Sequence, residues 1–153
     1  MTGELTKLQI NNILSSQVVG RIACSDGNQP YIVPVTFAFD GEYIYGQTNE
    51  GNKLKILRKN PSVCFEVDML IDIWNWQSVI VYGIFEELFD AEAERAKALL
   101  TRRVFPLMTS SSIHHHHERD TNGNGRLDDE TRFKSVYYKI KLSKVTGRFE
   151  QQQ

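Results

Sequence analysis

Tyr31-Ile-Val-Pro-Val-Thr-Phe-Ala-Phe-Asp40-Gly41-Glu-Tyr43-Ile-Tyr45 is the stretch that decides the fold. Residues 31–39 are β-branched or aromatic almost throughout, the composition that suits a pleated, half-buried surface. Asp40-Gly41 closes the run and Tyr43-Ile-Tyr45 opens the return, which is a hairpin signal. Pro34 has no N–H to give to a ladder, so an edge or a bulge is expected at that point.

Outward from this hairpin, strands recur at close spacing. Gln17 to Cys24 reads as a strand ended by the turn cluster Ser25-Asp-Gly-Asn. Val63-Cys-Phe-Glu-Val67 alternates, as does Ser78 to Leu88, where Gly83 marks a bulge or a close backbone approach. The last strand is expected over Ser135 to Leu142, followed by a polar tail. Helices are expected in three places. Residues Leu5 to Leu14 place Leu5, Leu8 and Leu14 near one face. Leu54-Lys-Ile-Leu-Arg-Lys is a short helix stopped by Asn60-Pro61. The run from Asp90 through Leu100 is strongly helix-forming, with Asp90 as N-cap and Arg102-Arg103 near the end. The sum is a mainly β fold, a small barrel of about six antiparallel strands with short peripheral helices.

The 153 residues favour a single domain spanning 1–153, with a polar insertion at about 109–132 that has no apolar period. The formal net charge of −1 gives no electrostatic case for nucleic acid. No apolar run approaches the roughly 20 residues that would span a bilayer, and the N-terminus lacks the layout of a signal peptide. Cys24 and Cys64 lie in apolar stretches with no CxxC pair, so reduced, buried thiols and a cytoplasmic setting are expected.

Several segments, in order, resemble the pyridoxamine 5'-phosphate oxidase-like FMN-binding family, in particular the branch that includes nitroimidazole-resistance proteins. They are Val19-Gly-Arg-Ile-Ala, Pro30-Tyr-Ile-Val-Pro-Val-Thr-Phe, Ile44-Tyr45, Gly51-Asn-Lys53, Asn60-Pro-Ser-Val-Cys-Phe-Glu-Val67, Trp76-Gln-Ser-Val79 with Gly83, and Tyr138-Lys-Ile-Lys-Leu with Thr146-Gly-Arg148. The resemblance implies a split β-barrel that forms a homodimer, with FMN held across the interface. It implies that Gln47, Thr48, Asn52 and Lys53 bind the phosphate, and that Val33, Pro34, Val35 and Thr36 run under the flavin ring. Trp76 and Ser78 are implied to approach the flavin from the partner chain.

The residues themselves are compatible with this reading. A phosphate dianion needs a cation and several fixed donors, and Lys53 with Gln47, Thr48 and Asn52 supplies them. Gly51 lets backbone approach closely at the start of a helix, where N–H groups attract anions. Read in isolation, Glu50-Gly-Asn-Lys53 is also an ordinary surface turn with a solvated lysine. Two departures narrow the implied activity. Asn52 stands where the oxidases carry an arginine beside the lysine, a loss for which Arg21, Lys55 or Arg58 could compensate. The C-terminal Arg/His substrate motif is also absent, the chain ending in Thr146-Gly-Arg-Phe-Glu. Both point away from oxidation of pyridoxamine phosphate.

The implied function is a flavin-dependent oxidoreductase moving electrons from a nicotinamide donor to a small acceptor, for which the resemblance to the resistance-protein branch suggests a nitroaromatic. A non-enzymatic flavin carrier or sensor is one alternative. A haem-binding or haem-degrading protein using His114 to His117 is another. Asp120-Thr-Asn-Gly-Asn-Gly-Arg-Leu-Asp-Asp-Glu130 resembles the first part of a calcium loop, but Thr131 stands at the twelfth place where a bidentate acid belongs, so no metal is expected there. Trp74 and Trp76 stack on a ligand or fill an interface.

Overall fold

The computed structural model describes residues 1–107 and 135–152. The insertion with its histidine run and Asx/Gly loop therefore lies outside the described residues. The elements are β1 (Thr2–Glu4), α1 (Lys7–Ser16), β2 (Val19–Asp26), β3 (Gln29–Phe39), β4 (Tyr43–Asn49), α2 (Asn52–Lys59), β5 (Ser62–Asp72), β6 (Asn75–Leu88), α3 (Asp90–Val104) and β7 (Ser135–Glu150). All pairings are antiparallel, in the order β7-β4-β3-β2-β5-β6, and β6 pairs back onto β7. Six strands thus close a split barrel, and the short β1 adds to the far end of β7.

Closure follows from side-chain alternation. Ile22, Phe37, Ile44, Phe65, Val79, Val81, Tyr138 and Ile140 point inward and are fully buried, at least one from each of the six barrel strands. Phe37 and Phe65 meet edge to face, their ring centres 5.2 Å apart. At the hairpin, Asp40 Oδ1 accepts the N–H groups of Glu42 (2.8 Å) and Tyr43 (2.7 Å), and Gly41 takes φ 99°. The Tyr45 hydroxyl donates to Asp40 Oδ2 at 3.0 Å, and burial together with that carboxylate pushes its pKa up to about 12.

Gly83 fulfils its reading as a close approach. It sits at a register shift between β6 and β7, and a Cβ there would lie 2.5 Å from the Lys141 carbonyl oxygen. Ser143 is the extra residue on β7, and its hydroxyl donates to the Tyr82 carbonyl at 2.8 Å.

Three expectations are corrected. The first helix begins at Lys7, after a Thr6–Gln9 capping box, and its buried residues are Ile13 and Leu14. Leu5 is buried ahead of the helix, while Leu8 is 70% exposed. The last strand continues to Glu150, because both its edges find partners there: β1 on one side and β6 on the other. Helix α3 starts at Asp90 itself, with a positive φ of 51°.

The Tyr138 side chain fills the space over Gly46, its strand partner, where a Cβ would come within 2.3 Å of the phenol. Its hydroxyl is buried with no hydrogen-bond partner among the described residues, and burial holds its pKa well above the usual value. An unpaired buried hydroxyl costs about 1–3 kcal/mol. Tyr138→Phe is therefore expected to leave the melting temperature unchanged or to raise it, measured by calorimetry, whereas other large-to-small core changes lower it.

Candidate functional site

Three elements assemble the candidate site: the outer surface of β3, the end of β4, and the start of α2. The Phe37 N–H to Val18 carbonyl bond (2.9 Å) sets the phase of the β3–β2 ladder. Val33 and Val35 accordingly bond to β2, while Pro34 and Thr36 direct their backbone toward β4. Pairing with β4 covers only Phe37–Phe39, so β3 has an open edge alongside Pro34. The proline falls where its missing N–H costs no ladder bond, as its reading as an edge position anticipates.

Alternation divides the sequence-derived residues between two faces. Pro34 and Thr36 are exposed on the outer face, whereas Val35 is buried and Val33 packs against the core. A ligand on the outer face meets the last two through backbone only. The same split separates Gln47, which is exposed, from Thr48, which is 8% exposed. Gln47 Nε2 donates to Ser135 Oγ at 2.7 Å, and Thr48 Oγ1 to the Asn49 carbonyl at 3.3 Å. Thr36, Gln47 and Tyr137 form one wall of a 170 Å³ hollow, closed on the other side by Lys97, Leu100 and Thr101 of α3.

Helix α2 follows Gly51 as its N-cap, with no side chain capping its N-terminus. A Cβ at Gly51 would meet nothing within 4 Å, so the approach to the helix N–H groups is open. Lys53 lies in this first turn, partly buried, and among the described residues no carboxylate pairs with it. Burial lowers its pKa, and the buried Cys24 thiol pulls it part of the way back. That thiol is itself pushed up by burial, with Lys53 pulling it part of the way back. Both cysteines are free thiols. A partly buried cation beside an uncapped helix N-terminus favours negative charge.

Of the three basic residues that could replace the missing arginine, two are already engaged. Arg21 Nη1 sits 3.2 Å from both Glu66 and Asp68. Arg58 is gripped by Glu50 and Glu87. Lys55 is exposed on α2. These ion pairs are not legible in the sequence, since their partners lie 8 to 47 positions apart.

Trp76 and Ser78 lie elsewhere on the barrel. Ser78 Oγ donates to Glu66 Oε1 at 2.9 Å, joining the Arg21 network, and Trp76 Nε1 donates to Glu150 Oε2 at 3.2 Å. Thr36 lies opposite Val19 on β2, and Ser78 opposite Asp68 on β5. With β2 beside β5, that places Thr36 and Ser78 three strands apart, roughly 14 Å along the sheet. Trp76 lines a second hollow of 180 Å³ with Met69, Ile71, Gln77 and Phe149. One chain does not bring the two groups together. Among the described residues no cluster of His, Cys, Asp or Glu could hold a metal, and no helix is long and apolar enough to cross a membrane.

A closed six-stranded antiparallel ring with an uncapped helix N-terminus following β4 defines a protein of the split-barrel class. The chain belongs to the pyridoxamine 5'-phosphate oxidase family, whose model matches residues 6–149. Among solved structures it is similar to an FAD-binding protein from Mesorhizobium loti, with 28% identity, 99% of each chain covered and a TM-score of 0.72. It is also similar to a candidate 5-nitroimidazole antibiotic resistance protein from Bacteroides thetaiotaomicron, with 19% identity, 97% of this chain and 87% of the other covered, and a TM-score of 0.70. A curated relative, an uncharacterised protein of Rhizobium meliloti, is 31% identical over 84 residues; the match takes in 55% of this chain and 56% of that protein's length.

Proposed function

We propose that this protein binds a flavin, FMN, by its phosphate at the α2 N-terminus, and that it works as a flavin-dependent oxidoreductase on a small molecule. The observation that carries this reading is Lys53: a partly buried cation with no carboxylate partner among the described residues, in the first turn of an uncapped helix. Such a charge is costly to keep desolvated unless an anion completes it. Asn52, exposed next to it, adds a neutral donor. The ring would lie along the outer edge of β3, its polar rim facing the backbone of Pro34 and Thr36. The name of the Mesorhizobium loti structure supports a flavin and raises FAD as the other form.

The site is completed by a second copy of the chain. Neither hollow, at 170 and 180 Å³, reaches the 300 Å³ or so typical of a small-molecule site. In a two-fold homodimer the Trp76–Ser78 edge of one protomer can cover the Thr36–Lys53 edge of its partner. The bound flavin supplies hydride and electron transfer; the chain anchors its phosphate, aligns its rim and excludes water. A nicotinamide would serve as donor, and the branch's nitroimidazole association makes a nitroaromatic the first acceptor to try.

The test is direct. The purified protein should be yellow and release FMN on heat denaturation, identified by mass, with two flavins per dimer by native mass spectrometry. Release of FAD would correct the cofactor form. A fully flavin-loaded monomer would overturn the interface, and a colourless protein that takes up neither flavin would overturn the binding itself. Oxidation of NADH or NADPH with nitroaromatic acceptors separates an enzyme from a flavin carrier.

A further inference from the structure

Glu50 stands immediately before the N-cap of α2, within a side chain's reach of the helix N-terminus that attracts a carboxylate. It does not point there. Its two oxygens accept from Arg58 Nη1 at 3.0 Å and Nη2 at 2.9 Å, near the other end of the helix. Arg58 is held in turn by Glu87 of β6, through Nε at 3.0 Å and Nη2 at 2.8 Å. All three guanidinium nitrogens are used, in two bidentate grips that fix the plane of the group. The Glu50 side chain is thereby drawn along α2, away from the N–H groups and from Lys53.

We infer that Arg58 is a positioning residue for the anion site, and that its task is to restrain Glu50, an internal competitor for the phosphate. This rests on the phosphate reading of Lys53. Freed from Arg58, the Glu50 carboxylate can fold back over the open N-terminus of α2 and toward Lys53, which has no carboxylate partner among the described residues. A phosphate would then have to displace it. Arg58 itself touches no ligand in this scheme. Its effect is confined to ligands that carry a negative charge, because riboflavin, with no phosphate, does not compete with a carboxylate.

The experiment uses the full-length apoprotein titrated with FMN and with riboflavin, followed by flavin fluorescence. Arg58→Ala is expected to weaken FMN on the order of tenfold, the scale of one helix-terminal charge, and to leave riboflavin within twofold. Glu50→Gln alone should leave both unchanged. The double variant R58A/E50Q should recover FMN affinity to within about twofold of the parent, since the amide has no charge with which to compete. The inference is overturned if Arg58→Ala leaves FMN affinity unchanged, if it weakens riboflavin equally, or if Glu50→Gln does not rescue it. A parent protein that binds FMN no better than riboflavin overturns the phosphate reading together with the inference. Because Arg58 is exposed, its loss is not expected to unfold the protein, and circular dichroism of each variant checks this.

Discussion

Replacing Lys53 with alanine is expected to weaken FMN binding by roughly 10- to 100-fold, the worth of one charge-assisted phosphate contact, while riboflavin binding changes little. The difference between the two ligands isolates the phosphate. An equal loss for both would mean that Lys53 shapes the turn rather than the ligand, and no loss for FMN would remove it from the site. The expected effect is large because the residue starts partly desolvated and without a carboxylate partner among the described residues, so a bound anion does not have to displace one.

The same burial sets the pH dependence. Lys53 in the free protein has a pKa below the ordinary lysine value of 10.5. A bound phosphate favours the charged form, so affinity is fully present below that lowered pKa and is lost as pH rises through it. The decline should therefore begin at a lower pH than for an exposed lysine. Stability of the flavin-free protein runs in the opposite sense. The charged form is disfavoured in the folded state, so the unfolded chain binds more protons, and this group's contribution improves as pH climbs toward 10.5. Titrations of affinity and of denaturation midpoint across the alkaline range check the two slopes, and Lys53→Ala should abolish both.

The largest stability effect is expected at Gly83. Its missing Cβ leaves space already taken by the Lys141 carbonyl at 2.5 Å and Ile140 Cγ2 at 2.6 Å. The first is backbone and cannot rotate away, so Gly83→Ala must push β6 from β7 where they close the barrel. A cost of about 3 kcal/mol is expected, the upper end of overpacking penalties, with Gly83→Val worse. Chemical denaturation measures it. A loss under about 0.5 kcal/mol, the range of ordinary surface substitutions, would show that the bulge absorbs the methyl group. Gly27 is the useful control for a glycine that no neighbour crowds, although its φ of 61° gives any substitution there a strain of its own.

The β-branched and aromatic runs, the turn at Asp26-Gly27 and the hairpin at Asp40-Gly41 are local signals, and they read correctly. Gly83 was legible for the same reason: a glycine inside an alternating apolar run has few other uses. The end of β7 was not legible. Residues 143–150 are mostly polar, and only pairing with β1 and β6 makes them a strand. The Thr6–Gln9 capping box is present in the sequence, yet the leucine spacing drew the first helix too early.

For the site the division is similar. The sequence by itself determined which residue types stand in order along the β3–β4–α2 segment, and hence that an anion-friendly turn follows an edge-like proline strand. Only the tertiary structure decided which of them face outward together. Strand alternation sends Val33, Val35 and Thr48 inward and leaves Pro34, Thr36 and Gln47 outside, while three strands of barrel separate Thr36 from Ser78. It also decided that Arg21 and Arg58 are held by carboxylates and that, among the described residues, Lys53 is not. The reason is physical: charges paired across 29 or 45 positions are set by how strands and helices close on one another, and local sequence carries no record of that closure.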